Sequence, residues 1–135
     1  MGKQWADVLA DVPLFTGLSK RHLRKVAALG MERRVASGTA IVRAGAPGDA
    51  FFVILDGTAT VRVPGKRTIK LSPGDFFGEL ALLDDAPRSA TVEADGEMLV
   101  MWVSRPAFQK LLKQEPKVAV EMLHTLAQRL RTASS

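Results

Sequence analysis

The sequence predicts a mainly β fold with flanking helices: an antiparallel β-roll, double-stranded and jelly-roll-like, with N-terminal helices and two C-terminal helices. Two observations predict this class. Across residues 31–103, glycines separate short β-prone runs, which is typical of many short antiparallel strands joined by turns. Before and after this region, apolar residues recur with the helical period.

The length of the chain sets its domain organisation. Its 135 residues are enough for one domain with a substantial core and too few for two comfortable ones. We therefore predict a single domain over 1–135. Its parts are a helical segment over 1–30, a roll over 31–103 and C-terminal helices over 104–131.

The N-terminal segment contains two helical patterns. The stretch "ADVLADVPLF" is amphipathic and stops at Pro13. The stretch "SKRHLRKVAALG" begins at Ser19, a good N-cap residue, and places Leu23, Val26 and Ala27 on one side. Both helices are therefore expected to bury one face.

The central region predicts three hairpins. In "AFFVILDGTATVRV" an apolar strand meets an alternating strand across Asp56-Gly57, with Thr60 on the polar side of the alternation. The stretch "VPGKR" turns the chain into "TIKL", and "SATVEADGEMLVMWV" turns around Asp95-Gly96.

The helical period returns after residue 104. Ser104 is a candidate cap for "RPAFQKLL", and Pro116 suits the first position of a last helix. That helix carries an apolar stripe that we expect to face the core. The stripe consists of Ala119, Met122, Leu123, Leu126 and Leu130.

Composition excludes several protein classes. Apolar residues make up 47% and charged residues 24%, as in ordinary globular proteins, and no run is long enough to span a bilayer. The first residues do not resemble a signal peptide. The absence of cysteine excludes disulfides and thiolate metal sites, and we expect a cytoplasmic location.

The net charge of +5 raises the question of a nucleic-acid partner. The basic residues are scattered over helical stretches such as "KRHLRK" and "QRLR", with no interleaved aromatic residues to stack on bases. We therefore expect a solvated basic surface that attracts small anions weakly. The predicted partners of this chain include neither nucleic acid nor membrane.

No catalytic or metal-binding residues are predicted. A β-roll enzyme of the metal-dependent kind needs clustered histidines and carboxylates on strands. Here His22 and His124 are in predicted helices at opposite ends of the chain, where partly exposed positions are expected. Glu79 and Arg88 alone would not hydrolyse a phosphodiester, a reaction that usually requires metals. The sequence favours a binding module.

The stretch "FGELALLDDAPRSATV", residues 77–92, carries the most specific chemistry. Its first helical turn would leave backbone N–H groups free for an anion, and Gly78 would allow close approach. Arg88 offers a planar fork for phosphate oxygens, while Glu79 suits a hydroxyl donor. The alternative is a surface Glu79–Arg88 ion pair worth about 0–1 kcal/mol.

This stretch resembles the phosphate-binding cassette of cyclic nucleotide-binding domains, which occur in protein kinase A regulatory subunits, cyclic-nucleotide-gated channels and the catabolite activator protein. We call residues 77–92 the cassette. The likeness covers nearly the whole chain, since "GDAFFVILDGTATV", "SPGDFFGE", "LADVPLFTGLS" and "LAQRLR" are also similar to family segments.

The resemblance implies residue roles. Arg88 would pair with the cyclic phosphate, and Glu79 would bind the ribose 2′-hydroxyl. Backbone amides would complete the phosphate site at Gly78, Leu80, Ala81, Ser89 and Ala90.

The resemblance also implies positions around the base. The candidates are Val61, Val63 and Leu71 on the roll and Leu126, Arg129 and Leu130 on the last helix. By pattern, the first three are equally ordinary core residues and Arg129 a solvated helix-end cation. Ser89 after the arginine favours cAMP over cGMP as the ligand, since cGMP-selective members often carry threonine there. No cofactor is implied.

The expected function is a sensor in which Leu82 and Leu83 repack against Phe108 and Leu111 after phosphate capture, so that the last helix closes over the base. Several alternatives stay open. They are a cGMP-selective sensor, a truncated regulatory domain of a transcription factor, channel or enzyme, and a degenerate interaction fold. An effector domain, a partner protein and a homodimer also remain open.

Overall fold

The computed structural model describes residues 2–134, which form two compact units. The helical unit combines the segments before Met31 and from Pro106 onward, and the roll unit spans Met31–Arg105. Each unit is described by itself.

The roll unit contains two four-stranded sheets, and all strand pairs are antiparallel. Their orders are β1-β8-β3-β6 and β2-β7-β4-β5, which confirms the predicted mainly β, antiparallel roll. The strands are β1 Met31–Val35, β2 Ala40–Val42, β3 Ala50–Asp56, β4 Ala59–Arg62, β5 Ile69–Leu71, β6 Phe76–Phe77, β7 Thr91–Ala94 and β8 Met98–Ser104.

Two of the three predicted hairpins are wrong. The turns at Asp56-Gly57 and Asp95-Gly96 do not pair their flanking strands, because each turn carries the chain from one sheet to the other. β3 lies inside its sheet and is buried over 50–54, so its apolar side chains need partners on both sides. An Asp-Gly signal specifies the bend, whereas burial decides the pairing. The β4–β5 hairpin is confirmed, with Val61 opposite Ile69.

A buried apolar cluster fills the roll and holds β6 in place. Phe52 on β3 and Phe77 on β6 are register partners, and their rings stack with centroids 5.0 Å apart. On the opposite face of the same strands, the ring centroids of Phe51 and Phe76 are 6.2 Å apart. This aromatic packing fixes the end of β6, from which the cassette continues.

A polar cluster around Asp95 ties three strands of the second sheet together. Its carboxylate accepts hydrogen bonds from Thr60 at 2.6 Å, Lys70 at 3.0 Å and Thr58 at 3.1 Å. These bonds, that of Thr60 first, lower the pKa of Asp95 below its ordinary value. Thr60 is buried, although the alternation predicts a polar-side position, because its hydroxyl has this partner.

The helical unit agrees with the predicted helix starts. Ser19 caps the second helix by accepting from the His22 amide at 3.2 Å. The last helix starts at Pro116, as predicted. The helices are α1 Gly2–Leu9, α2 Lys20–Ala27, α3 Arg105–Gln114 and α4 Pro116–Ser134, with a 3₁₀ turn at Pro13–Phe15.

Two expectations for the helical unit are wrong. His22 is buried rather than partly exposed, because its Nδ1 pairs with the Glu121 carboxylate. The predicted core stripe of α4 is wrong at Leu123 and Leu130, which are 64% and 69% exposed, although its Met122 is buried. The helix instead buries a face formed by Val118, Met122 and Thr125.

Within residues 2–134, no helix is long and apolar enough to cross a bilayer. In the same described part of the chain, no group of three or more histidine or acidic side chains could hold a metal ion.

Gly57→Ala should destabilise the protein more than the matched change Gly38→Ala. Both glycines have left-handed backbones, with φ of 87° and 80°, so each substitution costs about 1–2 kcal/mol of strain. Only at Gly57 would the new Cβ also meet the Glu97 carbonyl, at 2.7 Å. Denaturant unfolding measures both losses, and equal losses would contradict the close approach at Gly57.

Candidate functional site

A cavity of about 620 Å³ opens in the roll unit beside the cassette. Its size lies within the range of roughly 300–1,000 Å³ that is common for small-molecule sites. The lining consists of residues 76–81 and 86–90 together with Val42, Val61, Val63, Asp84 and Val92.

One wall of the cavity is a tight turn followed by a 3₁₀ helix. Gly78 has a left-handed backbone, with φ of 81°, and the helix spans Glu79–Leu82. Ala81 and Leu82 are buried and anchor the turn, while Leu80 is 61% exposed. The helix has only four residues, so its dipole is short.

Arg88 lines the same cavity and lies between two glycines. Its Nη2 donates to the Ala50 carbonyl at 2.7 Å. A Cβ on Gly78 would lie 2.6 Å from Nη1, and a Cβ on Gly48 would overlap the guanidinium at Nε and Cζ. The absence of side chains at these two positions therefore makes the space for the cation.

The guanidinium of Arg88 is half-buried and prepared for an anion. Burial lowers its pKa, the Asp49 carboxylate raises it, and the nearby Arg105 guanidinium lowers it further. Arg88 nevertheless stays charged near neutral pH because arginine deprotonates only in strong base. Its buried Nε has no hydrogen-bond acceptor among the described residues, and such a donor suits an anion's oxygen.

Arg105 bonds to two backbone segments beside the site. Its Nε donates to the Ala81 carbonyl at 2.8 Å, and its Nη2 donates to the Gly48 carbonyl at 2.6 Å. Its backbone N–H donates to the Asp49 carbonyl at 2.6 Å. One side chain thus connects the 3₁₀ helix with the loop that covers Arg88.

Glu79 lines the cavity and is half-buried. The ion pairs in the described part of the chain do not join Glu79 to Arg88, which are both cavity-lining residues. The two opposite charges therefore face the cavity as separate groups, one an acceptor and the other a donor. This arrangement suits a ligand with an anionic group and a hydroxyl.

The cavity brings together most of the residues predicted for it. The phosphate-site candidates all line it, as do Val61 and Val63. The Ala81 amide already donates to the Gly78 carbonyl at 3.0 Å, so binding an anion would require this bond to be shared or broken.

The remaining base-contact candidates lie elsewhere. Leu71 packs against the apolar cluster of the roll and does not line the cavity. Leu126, Arg129 and Leu130 lie on α4 in the helical unit, where Leu126 is half-buried and the other two are exposed. Their contact with a base stays a prediction.

Sequence reasoning missed several site residues. Asp84 and Val42 line the cavity, whereas Gly48 and Arg105 position its walls. Gly48 stands in "GDAFFV", but nothing local in that stretch signals contact with a side chain forty positions later. Arg105 resembles an ordinary first-turn residue of α3, because its carbonyl partners are distant in sequence.

The comparison with known families decides which family this is. The sequence model of the cyclic nucleotide-binding domain matches residues 32–115, which include the cassette and both walls of the cavity. The chain belongs to the cyclic nucleotide-binding domain family. The resemblance drawn from the cassette is thereby confirmed.

Several relatives of this domain are named proteins. A cyclic nucleotide-gated potassium channel of Mesorhizobium japonicum is 35% identical over 98% of the chain and 37% of its own length. A cAMP-dependent protein kinase regulatory subunit of Mycosarcoma maydis is 42% identical over 77% of the chain and 22% of its own length. The chain thus spans well under half of these two relatives.

A solved structure shares the fold over nearly its whole length. The N-terminal domain of a transcriptional regulator from Streptomyces coelicolor A3(2) superposes with a TM-score of 0.79 at 32% identity, covering 95% of this chain and 93% of that one. Channels, kinase subunits and transcriptional regulators therefore all contain a domain similar to this one.

Gly48→Ala should displace the Arg88 side chain, whereas the matched change Gly96→Ala should not. Both glycines have backbones open to any residue, so neither substitution adds backbone strain. A Cβ at Gly48 would overlap the guanidinium, while a Cβ at Gly96 would meet nothing within 4 Å among the described residues. The Arg88 Nε–H resonance in a nitrogen-correlated NMR spectrum should shift only in Gly48→Ala. An unmoved resonance in that variant would contradict the close packing.

Proposed function

We propose that this domain is a cyclic nucleotide sensor that binds cAMP in preference to cGMP and transmits binding to the C-terminal helices. The observation that carries the proposal is the Arg88 guanidinium, held open between two glycines beside a cavity that also contains Glu79. The family assignment gives the ligand class, and the site supplies groups of the right chemistry.

The phosphate would bind at the Arg88 wall. A cyclic phosphodiester has two exocyclic oxygens and one negative charge, which match a planar guanidinium with a buried, unused Nε–H. Burial strengthens this interaction because few water molecules compete with the anion. Backbone amides of the Gly78 turn and of Ser89 and Ala90, which line the same cavity, would complete the phosphate site.

The ribose would bind at Glu79. A half-buried carboxylate that accepts a hydrogen bond from a 2′-hydroxyl distinguishes a ribonucleotide from its deoxy analogue. The base would then lie against the apolar side chains of Val61 and Val63, which line the same cavity. A purine is flat and largely apolar on its faces, so such a wall provides affinity without demanding one base.

The choice of cAMP rests on two observations. Ser89 lines the cavity next to Arg88 and lacks the methyl group of a threonine. The kinase relative of Mycosarcoma maydis is named for its dependence on cAMP. Together they favour adenine.

We infer that the domain acts by binding rather than by catalysis, because the matched family is a binding domain. Its output would be delivered through an effector domain or partner protein, as the named relatives suggest. A cytoplasmic location and a homodimer stay predictions.

Arg88→Ala should weaken cAMP binding by more than about tenfold, because a hydrogen bond to a charged group contributes roughly 1.5–3 kcal/mol. Calorimetric titration measures the loss. Arg34→Ala is the matched control, since Arg34 forms an exposed ion pair with Glu97 at 3.4 Å and should leave the affinity unchanged. Wild-type affinity in Arg88→Ala would remove Arg88 from the phosphate site.

Ser89→Thr should raise the affinity for cGMP relative to cAMP. The added methyl group restricts the hydroxyl to fewer rotamers, and the hydroxyl can then bond the amino group of a guanine. Side-by-side calorimetric titrations with both nucleotides give the ratio. Ser72→Thr, which lies outside the cavity lining, is the control. A ratio that is the same in both variants would mean that selectivity lies elsewhere.

A further inference from the structure

The proposed binding chemistry assigns no role to Arg105. It is the last residue of the roll unit and the first residue of α3. Its side chain is half-buried and donates two hydrogen bonds, at 2.8 and 2.6 Å, to the carbonyls of Ala81 and Gly48. Both acceptors are backbone carbonyls, so the sequence contains no acidic partner that would indicate this role.

The two acceptors belong to different backbone segments beside Arg88. Ala81 lies in the 3₁₀ helix that follows Gly78, and Gly48 is the residue packed against the Arg88 guanidinium. A guanidinium is planar and rigid, so two bonds from its Nε and Nη2 fix the relative position of the two carbonyls. One side chain therefore fixes the 3₁₀ helix relative to the Gly48 loop that packs against Arg88.

A third bond of Arg105 joins the loop that contains Asp49 to the first residue of α3. Its backbone N–H, one of the first-turn donors of α3, bonds to the Asp49 carbonyl at 2.6 Å. Asp49 also interacts electrostatically with Arg88. The Gly48–Asp49 segment that packs against Arg88 is therefore bonded directly to Arg105, the first residue of α3.

We propose that Arg105 is a positioning residue that fixes the 3₁₀ helix relative to the loop packed against Arg88 by clamping the Ala81 and Gly48 carbonyls, and that it carries occupancy of the site to the start of α3. This inference rests on the proposed function for its ligand, although the clamp itself exists in the free protein. Arg105 holds backbone rather than nucleotide, so its loss should weaken all cyclic nucleotides equally.

The test compares Arg105→Lys, Arg105→Gln and the control Arg34→Gln. Lysine keeps the charge but replaces the planar fork with a single nitrogen, which separates clamping from electrostatic attraction. Calorimetric titrations with cAMP and cGMP give both affinities, and thermal unfolding reports stability. Amide hydrogen exchange of free and cAMP-bound protein follows the Arg105 amide and the amides of Leu83 and Asp84, which bond to the Leu80 carbonyl.

Both Arg105 variants should lose about tenfold in affinity for each nucleotide, with an unchanged cAMP-to-cGMP ratio, while the control keeps wild-type affinity. In the free variants the Leu83 and Asp84 amides should exchange faster. In wild type, cAMP should slow exchange of the Arg105 amide, and in Arg105→Lys this protection should disappear although binding persists.

Three results would overturn the proposal. Wild-type affinity in Arg105→Lys would mean that charge alone matters. A loss that vanishes at temperatures where every variant is fully folded would make the role merely one of stability. Unchanged exchange at Leu83 and Asp84 in the free variants would remove the clamp. If wild type binds neither nucleotide, the proposed function fails, and the exchange measurement on the free proteins still decides whether the clamp exists.

Discussion

The site depends on the burial of one guanidinium beside backbone rather than beside a carboxylate. Arg88 donates to the Ala50 carbonyl and lies against Gly48 and Gly78, so its charge is held in position without being neutralised. A carboxylate in direct contact would hold it as well, but would compete with the ligand's anion. The surrounding elements follow from this need. Stacked phenylalanines fix β6, and the Gly78 turn brings backbone amides close to Arg88. Arg105 holds the 3₁₀ helix that follows this turn.

The sequence was sufficient for the fold class and for the residues that carry charge. Glycine spacing predicted the roll, and the acid, arginine and small residues of the cassette predicted an anion and a hydroxyl. These signals are local, because each depends on residues within one turn or one short stretch. Glu79 and Arg88 both line one cavity, and their roles toward a ligand stay predictions.

The failures share a physical cause. The turns at Asp56-Gly57 and Asp95-Gly96 are bends, but strand pairing depends on burial across the whole sheet, so the chain passes to the other sheet at both places. The stripe of α4 was wrong at Leu123 and Leu130 because both satisfy a helical period while Thr125, a polar residue, lies on the buried face. Gly48 leaves space for the Arg88 guanidinium, and Arg105 bonds to backbone carbonyls. Neither role produces a pattern in the neighbouring sequence.

The packing of Gly48 against Arg88 has a consequence for how members of this family are recognised. If Arg88 binds the ligand as proposed, binding would depend on a missing side chain at Gly48 as well as on the charged groups. A chain could keep every residue of the cassette and match the family in full. Its arginine could still lie in the wrong place because one methyl group occupies the loop before β3. The sequence of such a chain would match a receptor although the chain would not bind the ligand. A sequence search for receptors should therefore include the loop residue as well as the cassette.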